Sequence, residues 1–181
     1  MCRLQERWPV TTLTGETVEV TRDRHPGAPP TGSVRVAVAA GVVVAVLLAD
    51  QLSKWWAVDR LASGPVHVVW RLDLILSYNT GSAFSLFQGA TAVIVVIALA
   101  LVTVLGVLVW RAPTLGRAAV LGLILGGALG NLSDRLFRGD HGAVVDFVAL
   151  HFWPTFNVAD ACITVGCILL ALSLLRGQAR S

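Results

Sequence analysis

The sequence has little charge for its length. Asp, Glu, Lys and Arg make up 14% of its 181 residues and hydrophobic residues 55%, whereas soluble domains average about 25% and roughly 45–50%. The net charge is only +3, and the basic residues stand at the ends of apolar runs. Nucleic-acid binding would need them gathered on one face, so we expect no nucleic-acid partner. The composition indicates one compact domain with lipid as its solvent.

Cysteine and the common catalytic motifs are also scarce. The three cysteines are Cys2, Cys162 and Cys167, without C-x-x-C spacing. Because the last two share one apolar run, we interpret them as small buried hydrophobic residues rather than a disulfide or ligand pair. There is no G-x-S-x-G elbow and no H-E-x-x-H, and the four histidines lack metal-ligand spacing. We therefore expect no metal and no other cofactor.

Long apolar runs dominate what is present. They are Val34–Ala49 (continuing to Trp56), Thr91–Trp110, Ala118–Leu132 and Val158–Leu175. Crossing a hydrocarbon core of about 30 Å takes about 20 residues, and backbone in lipid must bond internally. The pattern predicts an all-α membrane protein with four transmembrane helices. Residues 1–33 are predicted to be a flexible cytoplasmic N-terminal tail, 34–176 the membrane domain and 177–181 a cytoplasmic C-terminal tail.

Two features predict how the domain is built. Val66–Trp70 and Leu72–Leu76 favour β-structure, and the turn signal Tyr78-Asn79-Thr80-Gly81 follows them. We expect a small extracytoplasmic sheet there. Gly122, Gly126 and Gly130 recur every fourth residue, which predicts a smooth helix face for close packing.

Positive charge predicts the orientation. If the N-terminus is cytoplasmic, nine of the 14 Lys and Arg lie on the inner side. Loops on the cytoplasmic side are enriched in these residues. Both termini are therefore predicted to be cytoplasmic, and Trp55, Trp56, Trp70 and Trp153 should lie at the outer water–lipid boundary.

Polar residues gather at that outer boundary. Those at helix ends are Asp50, Asn131, Asp134 and Asp160, and those in outer loops are Asn79 and Asp146. A charge at the bilayer centre costs at least ~2.5–3.5 kcal/mol, so such residues usually mark function. Two neighbouring carboxylates share a proton and supply an acid and a base together. Such a pair activates water for peptide hydrolysis. A purely structural role, through helix caps or a pair such as Asp134–Arg135, is the alternative.

Five short motifs follow one another between about residues 34 and 175. They are Asp50-Gln51-Leu52-Ser53-Lys54, Asn79-Thr80-Gly81-Ser82-Ala83-Phe84-Ser85, Gly130-Asn131-Leu132-Ser133-Asp134-Arg135, Val144-Val145-Asp146-Phe147 and Phe156-Asn157-Val158-Ala159-Asp160. The set resembles the motifs D-Q-x-x-K, N-x-G-x-A-F-S, G-N-x-x-D-R, V-V-D-F and F-N-x-A-D of bacterial lipoprotein signal peptidase, or signal peptidase II. Residues 1–33 match none of them.

The resemblance implies a four-helix membrane aspartyl endopeptidase of the bacterial plasma membrane, with its active site at the outer face and an outer sheet that cradles the substrate. Its partners would be diacylglyceryl-modified prolipoproteins, cut before the lipid-modified cysteine, and membrane lipid. We expect a monomer. The resemblance, not the spacing, selects Asp146 and Asp160 as the catalytic pair. The residues it assigns to substrate binding or site support are Asp50, Lys54, Asn79, Gly81, Asn131, Asp134, Arg135 and Asn157.

Two other functions compete with this one. A channel or transporter subunit would use the aspartates as an ion path, but a path needs acids at several depths and these share one level. A purely structural membrane protein has no need for separate Asn and Asp motifs on different segments.

Overall fold

Four long helices form the body of the protein. The computed structural model describes residues 10–11, 17–18, 31–81, 90–139 and 142–178. The helices are α1 (Gly32–Leu61), α2 (Ala90–Trp110), α3 (Leu115–Phe137) and α4 (Val158–Gln178). All four are long and apolar enough to cross a membrane, which confirms the predicted number of spans. At 30 residues, α1 is about 45 Å long and exceeds the ~30 Å hydrocarbon core.

A four-stranded antiparallel sheet lies among the helix ends. Its strands, in spatial order, are β3 (Val66–Val69), β4 (Leu72–Asn79), β5 (Val144–Leu150) and β6 (Trp153–Phe156). In the N-terminal segment, β1 (Val10–Thr11) and β2 (Thr17–Val18) pair antiparallel. Residues 1–9, 12–16 and 19–30 of the predicted tail lie outside the described residues, and its last two residues, Gly32 and Ser33, belong to α1.

The sheet differs from the prediction in two ways. Its second half, β5 and β6, was not predicted, because buried Asp146 interrupts the apolar pattern of β5. Tyr78 and Asn79 belong to β4 rather than to a turn, since they pair with β5. The chain turns at Gly81, whose φ of 79° suits glycine and whose N–H donates to Asn79 Oδ1 (2.9 Å).

Helix α3 is the centre of the bundle and packs against α1, α2 and α4. The predicted glycine face explains how α1 approaches so closely. A Cβ at Gly122 would lie 2.8 Å from Ala39 O, and one at Gly126 would lie 2.8 Å from Val46 Cβ. Helices α2 and α4, in contrast, have few close approaches to each other within the described ranges.

The C-terminal end of α1 holds the sheet in place. Buried Ala57 and Leu61 pack with Phe147 of β5, and Leu74, Leu76, Val148 and Val158 pack against this cluster. Burying apolar surface here stabilises β5 against the helices. The strand that carries Asp146 therefore has a fixed position relative to α1.

Side chains that face outward fit a membrane protein. Trp55, Trp70 and Trp153 are well exposed, as expected for boundary residues. Both helix cysteines are free thiols, but only Cys162 is partly buried. Our interpretation of Cys167 as buried was wrong, because its side chain lies on the outer surface of α4.

The close approach of α1 and α3 predicts that Gly122→Ala lowers thermal stability, because its Cβ would overlap backbone atoms of Ala39. Overpacking typically costs about 1–3 kcal/mol. Gly106→Ala in α2 is the matched control, since a Cβ there meets nothing within 4 Å. Melting temperatures in detergent compare them. Equal melting temperatures would contradict the packing described here.

Candidate active site

Asp146 is held by two amide side chains. It lies on β5 and is only 1% exposed. Asn79 Nδ2, from β4, donates to its Oδ2 (3.0 Å) and Asn157 Nδ2 donates to its Oδ1 (2.7 Å). Each carboxyl oxygen therefore has a donor, which fixes the plane of the group.

Asp160 is held by the start of α4. Asn157 Oδ1 accepts from Asp160 N (2.9 Å), while Asp160 Oδ2 accepts from Asn157 N (3.3 Å). This reciprocal arrangement is a capping box, which satisfies free amides at a helix N-terminus. Asn157 thus contacts both candidate catalytic residues, one through its side-chain amide and the other through its cap.

Asn131 on α3 connects this pair to a buried charge cluster. Its Nδ2 donates to Asp160 Oδ1 (2.8 Å), and its Oδ1 accepts from Asn157 Nδ2 (3.1 Å) and from Lys54 Nζ (3.0 Å). One side chain thereby touches residues from α1 and α4.

Lys54 is completely buried, and its ammonium is fully paired. Besides Asn131, Nζ contacts Asp50 Oδ2 (2.8 Å) and Asp134 Oδ2 (2.9 Å). An ammonium has three N–H donors, and here each has an acceptor. Such satisfaction is needed because an unpaired buried charge is strongly destabilising.

Asp50 ties α1 to the N-terminus of α4. Its Oδ1 accepts from Ala159 N (3.0 Å), so a second carboxylate caps this helix beside Asn157. Gly130 is required next to it, because a Cβ there would lie 2.6 Å from Asp50 Oδ2. This glycine therefore shapes the site as well as the packing face.

Asp134 does not pair with Arg135, so the proposed structural alternative was wrong for that pair. Its cationic partners are Lys54 and Arg138. Neighbouring residues on a helix point in different directions, whereas residues four apart share a face. Asp134 Oδ2 also accepts from Val145 N (3.2 Å), which anchors the start of β5.

Arg135 points toward the carboxylates without a salt bridge among the described residues. Its Nη1 donates to Asn131 O (3.2 Å), and its buried Nε has no partner within the described chain. The positive charge nevertheless lies close enough to interact with Asp160, Asp146 and Asp134.

The eight supporting residues were predicted from motifs, and seven of them join this network directly. Gly81 contributes through its turn against Asn79. Ser82, Ala83, Phe84 and Ser85 of the second motif lie outside the described residues. Sequence reasoning gave no role to Gln51 or Arg138. Gln51 Nε2 contacts Asp50 Oδ2 (3.1 Å) and Asp134 Oδ1 (3.0 Å), and its place inside the first motif could have indicated this.

Charge in the cluster is nearly balanced. Four carboxylates (Asp50, Asp134, Asp146 and Asp160) meet three cations (Lys54, Arg135 and Arg138). A single proton on the carboxylates makes the cluster neutral, as a poorly solvated site favours. Burial, together with the nearby Asp160 charge, raises the pKa of Asp146 to about 6, against hydrogen bonds from Asn79 and Asn157 that lower it. Asp146 is thus suited to hold that proton.

No group of three His, Cys, Asp or Glu that could hold a metal ion is found in the described part of the chain. The four aspartates are instead paired with cations and amides. The arrangement can offer an acid and a base to a water molecule.

Comparisons with known proteins point to one family. The sequence profile of signal peptidase (SPase) II matches residues 42–176. The lipoprotein signal peptidase of Rhodopseudomonas palustris is 39% identical over 80% of this chain and 94% of its own. That of Streptomyces coelicolor is 40% identical over 81% and 74%, and that of Rickettsia akari is 36% identical over 71% and 70%.

Solved structures give the same result for the fold. A bacterial membrane enzyme determined by the in meso method matches with a TM-score of 0.68 and 25% identity, over 83% of this chain and 98% of its own. A second structure of this kind has a TM-score of 0.65 and 24% identity, over 82% and 92%. The helices and the sheet therefore have a known precedent.

The raised pKa of Asp146 predicts a pH dependence. Because the native state keeps this proton between about pH 4 and 6 while the unfolded chain releases it, this residue's contribution to stability should fall as pH rises through that window. Infrared difference spectra should show a protonated carboxyl that titrates near pH 6. Asp146→Asn should remove this band and flatten that part of the stability profile. A band that persists in Asp146→Asn would contradict the assignment.

Proposed function

The chain belongs to the signal peptidase II family, and we propose that it is an aspartyl endopeptidase that removes the signal peptide from diacylglyceryl-modified prolipoproteins. The cut falls before the lipid-modified cysteine. The observation that carries the aspartyl assignment is the contact of Asn157 with both carboxylates, through Asp146 Oδ1 and through the Asp160 cap. It places two acids around one amide at the start of α4.

Asp146 is the acid and Asp160 the base in this proposal. Burial raises the pKa of Asp146 to about 6, which favours its protonated form. Asp160 lies in the first turn of α4, where the helix dipole stabilises a negative charge. It is also the more exposed of the two, so water reaches its oxygens more easily.

The reaction needs only one water and this shared proton. Asp160 takes a proton from the water, whose oxygen attacks the carbonyl carbon before the lipid-modified cysteine, while Asp146 gives its proton to the carbonyl oxygen. In the resulting diol, Asp160 returns a proton to the cysteine nitrogen and the C–N bond breaks. A diol hydroxyl proton goes back to Asp146, and the pair is restored.

The other motif residues support the pair rather than react. Lys54, Asp50 and Asp134 form the charge cluster behind it, and Asn131 joins that cluster to Asp160. Arg135 and Asn79 are the groups beside the pair that remain suited to meet substrate. Asn79 is exposed at the end of strand β4, and Arg135 Nη1 has only one backbone partner in the described chain.

Substrate would enter from the lipid. Its acyl chains stay in the bilayer, and the apolar, outward-facing surfaces of α2 and α4 face the same medium. Few residues of α2 lie close to α4 in the described ranges. In this proposal the substrate enters sideways between these two helices. The sheet covers the site from outside as a cradle. We infer that residues 34–176 form the catalytic unit. The protein acts as a monomer in this proposal, and no nucleic acid takes part.

The proposed orientation has both termini in the cytoplasm and the site at the outer face. It rests on the excess of Arg at the inner ends, where Arg35 also binds Pro113 O in the α2–α3 connection (2.7 Å). A C-terminal fusion to a fluorescent protein that matures only in the cytoplasm should therefore fluoresce in bacterial cells, and a fusion to periplasm-dependent alkaline phosphatase should stay inactive. The reverse pattern would place the site on the inner side.

An ion channel or transporter is the competing function. The buried charges argue against it, because Asp50, Asp134, Asp146 and Asp160 are gathered in one network, whereas α2 has no charged residue at all. A path across the membrane would need polar groups at successive depths.

Substitution of either aspartate tests the mechanism. Asp146→Asn and Asp160→Asn should each reduce prolipoprotein cleavage by at least about 10³-fold, because neither amide can donate and accept the transferred proton. A mobility-shift assay with diacylglyceryl-modified prolipoprotein measures this with purified enzyme. EDTA should leave the wild-type rate unchanged.

Asp59→Asn is the matched control. Asp59 lies at the outer end of the same bundle, but it is exposed, and its one salt bridge among the described residues is with exposed Arg60, so this variant should cleave at the wild-type rate. Full activity in Asp146→Asn or Asp160→Asn would exclude this catalytic pair. Loss of activity in EDTA that zinc restores would mean a metal mechanism.

A further inference from the structure

Arg138 lies outside the five motifs but reaches into the charge cluster. It is the C-terminal cap residue of α3, and its side chain folds back one turn. Nε donates to Asp134 Oδ1 (3.1 Å), and Nη2 contacts Asp134 Oδ1 (3.1 Å) and donates to Gln51 Oε1 (3.1 Å). The guanidinium thus joins α3 to α1.

Asp134 passes this restraint on to β5. While Oδ1 faces Arg138 and Gln51, Oδ2 accepts from Val145 N (3.2 Å) and contacts Lys54 (2.9 Å). Val145 is the residue before Asp146. Since a carboxylate is planar, fixing one oxygen also fixes the other.

Two glycines with positive φ lie in the connection between α3 and β5. They are Gly139 (φ 84°) and Gly142 (φ 78°), and glycine offers conformational freedom there. The hydrogen bond between Asp134 and Val145 closes this connection at its β5 end. The position of Val145, and with it the backbone next to Asp146, therefore depends in part on how firmly Asp134 is held.

We propose that Arg138 is a positioning residue of the active site, which holds Asp134 so that Val145 and the Asp146 carboxyl keep their place opposite Asp160. Its effect on turnover rests on the proposed function. The geometric part, from Arg138 through Asp134 to Val145, rests on the hydrogen bonds alone. It therefore has readouts that do not need substrate.

Charge gives a second, separable effect. Asp146 is faced by Asp160 from α4, Lys54 from α1 and Arg135 from α3, with the neutral amides of Asn79 and Asn157 beside it. Lys54 contacts two carboxylates, Asp50 and Asp134, and cannot balance both charges alone. Arg138, which pairs with Asp134, supplies the positive charge that balances the other. Removing Arg138 leaves one more uncompensated negative charge near the pair, which disfavours ionisation of Asp146.

Three variants test the proposal in the full-length protein. Arg138→Gln removes the charge and the fork, Arg138→Lys keeps the charge but not the fork, and Arg60→Gln removes an exposed surface pair. We expect Arg138→Gln to lower kcat roughly tenfold with KM within about twofold, because small misplacements of a catalytic group slow chemistry. Arg60→Gln should match wild type.

Two measurements go beyond loss of activity. In Arg138→Gln, the infrared titration of Asp146 should move to higher pH, and hydrogen exchange should speed up in the peptide covering 142–150. Arg138→Lys should restore the titration midpoint while kcat stays several-fold low. A purely structural role would lower the folded fraction and leave both the midpoint and the activity per folded molecule unchanged.

Each outcome has a defined meaning. Wild-type kcat, midpoint and exchange in Arg138→Gln would overturn the proposal, and so would an activity loss that merely follows the folded fraction. If Arg138→Gln does not insert, Arg138→Lys decides, and a wild-type kcat there would overturn positioning. If wild-type protein cleaves no prolipoprotein but the midpoint and exchange shift as expected, the proposed function fails and the positioning role stands.

Discussion

The buried ammonium of Lys54 is the interaction on which the other contacts depend. It has no exposure to solvent, and its three donors are taken by acceptors from α1 and α3, namely Asp50, Asp134 and Asn131. Each acceptor then holds something else. Asp50 caps α4, Asp134 anchors β5, and Asn131 binds Asp160. The elements that carry the two candidate catalytic residues are therefore positioned around one charge.

Stability and catalysis share residues in this arrangement. Asn157 and Asp160 cap α4, yet they also belong to the proposed reaction centre. Burying these groups without partners would be costly, and here almost every polar atom in the described site has one. The close glycine contacts between α1 and α3 bring the helix ends near enough for the short side chains of Asp and Asn to meet.

Much of the fold could be predicted from the sequence. The four apolar runs gave the helices because lipid leaves few other choices for the backbone. The spacing of Gly122, Gly126 and Gly130 gave the packing face. The ends of the helices were harder to predict. Helix α1 continues past Trp56 to Leu61, because its last residues pack against the sheet. Hydropathy does not mark where a helix ends once it packs against protein rather than lipid.

The motifs named the members of the candidate site, but the contacts between them could not be predicted. Short motifs indicated Asp146 and Asp160, yet strands β5 and β6 were not predicted. The buried carboxyl of Asp146 interrupts the apolar pattern by which β5 would have been predicted. The cationic partners of Asp134 were also predicted wrongly. Adjacent Arg135 suggested an ion pair, whereas four-residue helical spacing and tertiary contact made Arg138 and Lys54 the partners. The pairing with Lys54 joins α1 to α3 and leaves no local signal in one sequence, whereas Arg138, four residues after Asp134 on the same helix, could have been predicted.

The side-chain amide of Asn157 has more acceptors than it has hydrogens to donate. Its nitrogen has two hydrogens but three acceptors within reach, on Asp146 (2.7 Å), Asn131 (3.1 Å) and Val145 (3.3 Å). Two hydrogens cannot fully serve three acceptors, so one N–H is shared between two of them. Asn131 Oδ1 also accepts from Lys54 Nζ (3.0 Å), and it is therefore the acceptor that depends least on this amide.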